Sequence, residues 1–187
     1  MERDRASRRV EHVSDDLQIR ALHDEGEYPQ LMRVWRSAVD ATHDFLTEQH
    51  RAEIEQNLSD VYLPAVKVVV AERRGRLIGF AGTDSKKLEM LFVDAEYRGG
   101  GIGSTLLDHV MAAHGVTSVD VNAHNEQAVG FYRRAGFTVT GRSATDDDGR
   151  PYPLLHMTVE KQSRPPTDPS NRGSDLDRPA GASQETR

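Results

Sequence analysis

The spacing of apolar positions changes period several times along this chain, and each change marks an element. LQIRAL (17–22) is short and β-rich. From Glu25 onward Tyr28, Leu31, Trp35 and Val39 recur at helical spacing. ATHDFL (41–46) breaks that rhythm. Thr47 followed by Glu48 reads as a cap and first turn, and Ile54, Leu58 and Val61 carry a second helix as far as Pro64. AVKVVVA (65–71) and RLIGFAG (76–82) are strand-like runs joined by ERRGR, which predicts a hairpin, and KLEMLFV (87–93) adds a strand. Ile102, Leu106 and Val110 mark a third helix, and VTSVDV (116–121) another strand. Ala128, Phe131, Tyr132 and Ala135 then fall at i, i+3, i+4 and i+7. Gly136 follows as a left-handed C′ residue, with Phe137 placed for the hydrophobic contact of a Schellman motif. Strands at 137–143 and 151–159 lie on either side of the turn-rich TDDDGRP. The expected order is β-α-α-β-β-β-α-β-α-β-β.

Between the third strand of the central group and the third helix lies YRGGGIG (97–103), four glycines in five residues. Backbone N–H groups at a helix start are unpaired, and the dipole there is positive. Glycine lets an anion reach that backbone with no side chain in the way, so a phosphate or pyrophosphate is the expected visitor. The dinucleotide fingerprint fails, because counting from Gly99 puts Ser104, and counting from Gly101 puts Leu106, where it needs glycine. The Gly-Lys-Ser/Thr of a Walker loop is also missing. A bare GGG is equally compatible with a plain surface turn.

Composition narrows the setting. At 36% hydrophobic and 29% charged over 187 residues, the chain has the make-up of one ordinary globular domain. It has no apolar run long enough for a membrane span, and MERDRASRRV lacks the apolar core of a secretory signal. It contains no cysteine, which rules out disulfides, thiolate nucleophiles and cysteine zinc sites and agrees with a cytoplasmic location. Residues 161–187 are rich in Pro, Ser, Gly and mixed charge, with Leu176 the only large aliphatic side chain. They are expected to be a disordered tail, and residues 1–16 a flexible N-terminal segment. The domain at 17–160 then carries the whole net charge of −6. That argues against nucleic acid as a partner and favours a cationic one. DDD (146–148) is a candidate attracting patch as well as an ordinary solvated turn.

FVDAEYRGGGIGSTLL resembles the acetyl-CoA-binding motif of the GNAT superfamily of N-acetyltransferases. Its Arg/Gln-x-x-Gly-x-Gly/Ala pattern is met by Arg98, Gly101 and Gly103, after a strand ending in an apolar-apolar-Val-Asp pattern. NEQAVGFYRRAGF (125–137) is similar to the family's second signature, Asn-x-x-Ala-x-x-Phe-Tyr-x-x-x-Gly-Phe, at every defined position. The resemblance covers about residues 17–160. It implies an α/β (α+β) GNAT fold with a mixed sheet of about seven strands and about four helices, in which two strands splay to form the acetyl-CoA cleft.

The resemblance also implies roles. Arg98, Gly99, Gly100, Gly101, Ile102, Gly103 and Ser104 would hold the pyrophosphate. The strand backbone of Leu91, Phe92 and Val93 would pair with the pantetheine arm as an added strand, and one of its N–H groups would stabilise the oxyanion. Tyr132 matches the general acid that protonates the leaving thiolate, although the same position on an apolar stripe also suits a core tyrosine. Asn125 matches a cofactor contact and equally a helix cap. Asn122 is a further candidate for pantetheine or water. An alkyl ammonium must lose a proton before it attacks. Glu89 is the candidate base acting through water, and His43 the alternative. His43, with Trp35, Thr42 and Asp44, belongs to the region expected to line the acceptor pocket. The expected reaction transfers acetyl from acetyl-CoA to a primary amine, either a small molecule or a protein lysine or N-terminus. No metal, nucleic acid or membrane is expected, and the assembly would be a monomer or homodimer. The rival readings are a non-catalytic acyl-CoA sensor or scaffold, which would not need the Tyr132 acid, and an acyltransferase for larger acyl groups.

Overall fold

A computed structural model describes residues 17–160, so the expectations for 1–16 and 161–187 lie outside the described residues. The elements follow the expected order: β1 (Leu17–Ala21), α1 (Tyr28–Asp40), α2 (Glu48–Asn57), β2 (Lys67–Arg73), β3 (Arg76–Asp84), β4 (Lys87–Val93), α3 (Ile102–His114), β5 (Ser118–Asn122), α4 (Glu126–Arg134), β6 (Thr138–Ser143) and β7 (Leu154–Thr158). The seven strands form one mixed sheet in the order β1-β2-β3-β4-β5-β7-β6. All neighbours are antiparallel except β4 and β5, which run parallel because α3 crosses between them.

Local chemistry sets the boundaries. The first turn at Glu25–Glu27 is 3-10, with Asp24 accepting from the Gly26 N–H, and α1 proper starts at Tyr28 with Pro29 in its first turn. Thr47 caps α2 through the His50 N–H at 3.2 Å. Arg74 and Gly75, both at positive φ, turn β2 into β3. Beyond α2 the backbone widens into a π turn, Leu58–Tyr62, closed by the Leu63 N–H donating to the Leu58 carbonyl at 2.9 Å. The wider turn buries both Leu58 and Leu63. It also rotates Val61 out, leaving it 53% exposed, so Val61 does not continue the apolar stripe that its spacing suggests.

Two cores flank the sheet. Leu31, Val34, Trp35 and Val39 of α1, with Leu58, pack on Val68, Val70 and Phe80. Leu106, Leu107 and Val110 of α3, with Val129 and Tyr132 of α4, pack on the opposite face against Val69, Ala81, Val119 and Met157.

Candidate functional site

β4 and β5 begin side by side and then part. Their pairing consists of Lys87 with Ser118 and Leu88 with Val119. The register of β4 against β3 slips by one residue between Leu88 and Met90, so Glu89 is a bulge at the point of parting. Past it, the Asp94 N–H donates to the Ile78 carbonyl at 2.9 Å. In an antiparallel ladder that makes Asp94, Phe92 and Met90 the residues bonded to β3, and turns the N–H and C=O groups of Leu91 and Val93 to the free edge. The expected 91–93 edge therefore presents backbone from Leu91 and Val93, while Phe92 is occupied by β3.

This edge borders a cleft of about 680 Å³. At one end is the glycine loop. Gly99 and Gly101 sit at φ of 78° and 80°, with nothing within 4 Å of where a Cβ would lie. Gly101 is the N-cap of α3, and among the described residues no side chain caps that helix, so its first N–H groups face the cleft mouth. Arg98 hydrogen-bonds Gln127 of α4 through its guanidinium, spanning the mouth. The loop hangs from an anchored residue. Asp94 is buried and accepts from Ser37 (2.8 Å), Arg33 (2.9 Å) and Arg76 (3.2 Å), tying the end of β4 to α1 and β3. Burial works against this carboxylate's charge. The bonds from Ser37, the Glu96 N–H and Arg33 outweigh it and hold Asp94 below its ordinary value.

α4 supplies the facing wall. Asn125 caps it by accepting from the Ala128 N–H at 3.0 Å, and also lines the cleft. The other end closes in a Schellman motif, as the sequence predicts. The Gly136 N–H donates to Arg133 and the Phe137 N–H to Tyr132, both at 3.0 Å. The Phe137 and Phe131 rings pack edge-on against Tyr132 at 5.8 and 5.0 Å. Tyr132 is thus core and cleft wall at once, with its ring clamped. Burial pushes its phenol well above the ordinary value, so it holds its proton across the physiological range.

Thr42 and His43 reach the cleft from the α1–α2 connection. The Thr42 hydroxyl donates to the Ala38 carbonyl at 2.7 Å, which uses its only proton. The 2.7 Å contact between Thr42 Oγ1 and His43 Nδ1 then requires Nδ1–H to donate, leaving Nε2 as a bare acceptor. Burial, helped by the positive charge of Arg98 and opposed by Asp44, pushes His43 down to about 4, so the ring is neutral near pH 7. Glu89 lines the cleft with its carboxylate 3.0 Å from Lys87 Nζ.

Beside the cleft a second pocket of about 380 Å³ is lined by Trp35, Leu58, Tyr62, Met90 and Phe92, with Asp84 and Glu89 as its acidic members. Glu89, Met90 and Phe92 border both spaces.

Most of the expected residues meet here. The cleft lining includes Glu89, Leu91, Phe92, Val93, Arg98, Gly99, Gly101, Ile102, Gly103, Ser104, Asn122, Asn125 and Tyr132. Gly100 lies in the loop outside that lining, Trp35 belongs to the neighbouring pocket, and Asp44 is exposed and lines neither. Asp120, Gln127 and Arg134 also line the cleft and were not singled out from the sequence. The DDD triplet is largely committed to its own loop. Asp146 and Asp148 hold Arg150 at 3.2 and 2.7 Å, and Asp148 accepts from Tyr62 at 2.6 Å. Among the described residues no group of three or more His, Asp or Glu is arranged to hold a metal ion, and no helix is long and apolar enough to cross a membrane.

A mixed sheet parted at its one parallel join, an uncapped helix behind a glycine loop and a buried phenol on the opposite wall define a cleft for a long, anionic, strand-like co-substrate. The chain belongs to the GNAT acetyltransferases: the family's acetyltransferase (GNAT) domain model matches residues 29–161. It is 44% identical over 138 residues to the peptidyl-lysine N-acetyltransferase YjaB of Salmonella typhimurium, covering 74% of this chain and 94% of that one. The apo-form solution structure of YjaB from Escherichia coli superposes with a TM-score of 0.70 at 40% identity, over 76% of this chain and 97% of that one. The fold is shared more widely. YncA of Salmonella typhimurium, solved with acetyl-CoA, matches at a TM-score of 0.53 and 19% identity, covering 82% of this chain and 99% of that one. The protein is an acetyl-CoA-dependent N-acetyltransferase that acts on an amine.

Proposed function

We propose that the acceptor is the side-chain amine of a lysine in a protein or peptide, and that the cytoplasm is its setting. The observation that carries this reading is the meeting of two spaces at Glu89. An apolar slot suits an alkyl stem, and a carboxylate stands in the wall that the slot shares with the cofactor cleft. The net charge of −6 on residues 17–160 favours a cationic partner. The relatives' description as peptidyl-lysine N-acetyltransferases supports the same class.

Acetyl-CoA supplies the activated thioester. Arg98, Gly99, Gly101 and the first N–H groups of α3 would hold its pyrophosphate, and the free backbone of Leu91 and Val93 its pantetheine arm. One of those N–H groups would stabilise the negative charge that develops on the thioester oxygen. Glu89 takes the ammonium proton. His43, neutral and fixed in one tautomer, accepts a hydrogen bond through Nε2 and orients the amine. Tyr132, which burial keeps protonated, delivers a proton to the departing thiolate.

The test is thiol release from acetyl-CoA with Nα-acetyl-lysine amide and with lysine-containing peptides, product acetylation being located by mass spectrometry. Acetylated lysine Nζ is expected. Release with a small polyamine and none with any lysine would replace the acceptor class. The two carboxylates Asp84 and Glu89 of the slot are what would favour a polyamine in that event.

A further inference from the structure

We propose that Lys87 is an internal competitor for the acceptor's ammonium: its Nζ occupies, in the free enzyme, a seat between Glu89 and Asp120 that the incoming primary ammonium takes over. The proposal rests on the acetyl-transfer reading of the cleft and adds to it a built-in rival for the acceptor.

The placement comes from the parting of the strands. Lys87–Ser118 and Leu88–Val119 are the last pairs, so Glu89 and Asp120 are the next residue on each side of the gap, and both line the cleft. Lys87 Nζ lies 3.0 Å from Glu89 Oε2 and 3.1 Å from Asp120 Oδ2. A primary ammonium, the chemical group that the reaction consumes, therefore already rests at the closed end of the gap. Burial disfavours the Lys87 charge, but its hydrogen bonds to Glu89 and Asp120 outweigh that and push it above the ordinary lysine value. Lys87 thus stays a cation and competes for the seat without acting as a nucleophile.

The seat is also fixed independently of its occupant. The second oxygen of Asp120 is 2.6 Å from His156 Nδ1, and His156 Nε2 is 2.7 Å from Ser143 Oγ. The imidazole bridges the carboxylate and the serine hydroxyl, which holds Asp120 in place when Lys87 leaves. Lys87 has somewhere to go: Asp147, 76% exposed, lies 3.6 Å from Nζ on the outer side. Exchanging one ammonium for another keeps both carboxylates paired, whereas a neutral aryl amine or a hydroxyl has no charge with which to displace Lys87. The seat therefore selects alkyl ammonium acceptors.

The decisive variant is Lys87→Met, which keeps the stem and removes the rival cation. With Nα-acetyl-lysine amide as the probe, its KM should fall about three- to tenfold while that for acetyl-CoA stays constant. Asp120→Asn should raise the amine KM by a comparable factor, and Lys87→Arg, which retains a cation, should not lower it. An unchanged or raised amine KM in a folded Lys87→Met protein overturns the proposal. A second measurement uses the wild type alone. Trace labelling with acetic anhydride is read by mass spectrometry as the ratio of Lys87 to exposed Lys86 modification, so that reagent consumed by the amide cancels. The ratio should rise when Nα-acetyl-lysine amide saturates the protein, and an unchanged ratio overturns the proposal. The two readings separate cleanly. Lys87 released by the amide without any thiol release keeps the seat and sinks acetyl transfer to lysine. Turnover with Lys87 indifferent in both measurements sinks the seat and leaves acetyl transfer standing.

Discussion

The two halves of the sheet are built to different plans. β2 to β4 are covered on both faces, by α1 and the α2 end on one side and α3 on the other. The central strands accordingly read as unbroken buried runs, Val68–Ala71 in β2 and Leu77–Thr83 in β3. β5 and β7 place Val119, Val121, Leu155 and Met157 on the α4 side, while the other face is mostly polar, with Leu154 its apolar member. β5 alternates, with Val119 and Val121 buried and Ser118, Asp120 and Asn122 on the other face, where His156 and Ser143 also take part in a polar network. One half is a scaffold. The other leaves a polar face beside the parted strands, and the candidate site lies along the seam between them.

The contrast can be broken most severely in the scaffold. Phe80→Ala empties a fully buried site between the sheet and α1 and should cost about 3–5 kcal/mol in chemical denaturation. The next effect falls on rate alone. Tyr132→Phe keeps the ring that packs on Phe131 and Phe137 and removes the proton donor, so turnover should drop about 10²–10⁴-fold with stability and acetyl-CoA affinity nearly unaltered. Near wild-type turnover would return Tyr132 to a packing role only.

A smaller effect sits on the seam. His43 is pushed from 6.5 down to about 4 by burial, so as pH falls from 6.5 the unfolded chain takes up a proton before the folded one does, and stability is lost over that window. His43→Gln should make the fall in Tm between pH 6.5 and pH 4 shallower. An unchanged slope would mean that other groups set it. Least of all should follow from the outer edge. Val139 in β6 is 42% exposed, and Val139→Thr should move stability by no more than about 0.5 kcal/mol.

Much of this was legible in the sequence because the signals were local. The glycine loop, the Thr47 and Asn125 caps and the Gly136–Phe137 ending each depend on a few consecutive residues, and each formed as its spacing indicates. The two plans can also be read directly, since KVVVA is continuous where SVDVN alternates. Val61 escaped this logic because the π turn shifts helical phase by a residue that periodicity does not count. The company that Glu89 keeps with Lys87, Asp120, His156 and Ser143 escaped for a different reason. Its members come from four strands, and only the order of those strands in the sheet brings them together.

That order has a consequence for how the chain can be assembled. β7 is the last of the described strands to be made, yet it lies between β5 and β6 and pairs with both along its length. A nascent chain that ends before Leu154 holds two strands with nothing between them, and so offers open backbone to any neighbouring molecule. The hairpins of β2, β3 and β4 need no such late arrival, because each partner is the next strand in line. Synthesis therefore passes through a stage in which one half can already pair its strands while the other still waits for its centre. Truncations before Leu154 should collect in inclusion bodies or on chaperones rather than behave as slightly shortened enzymes.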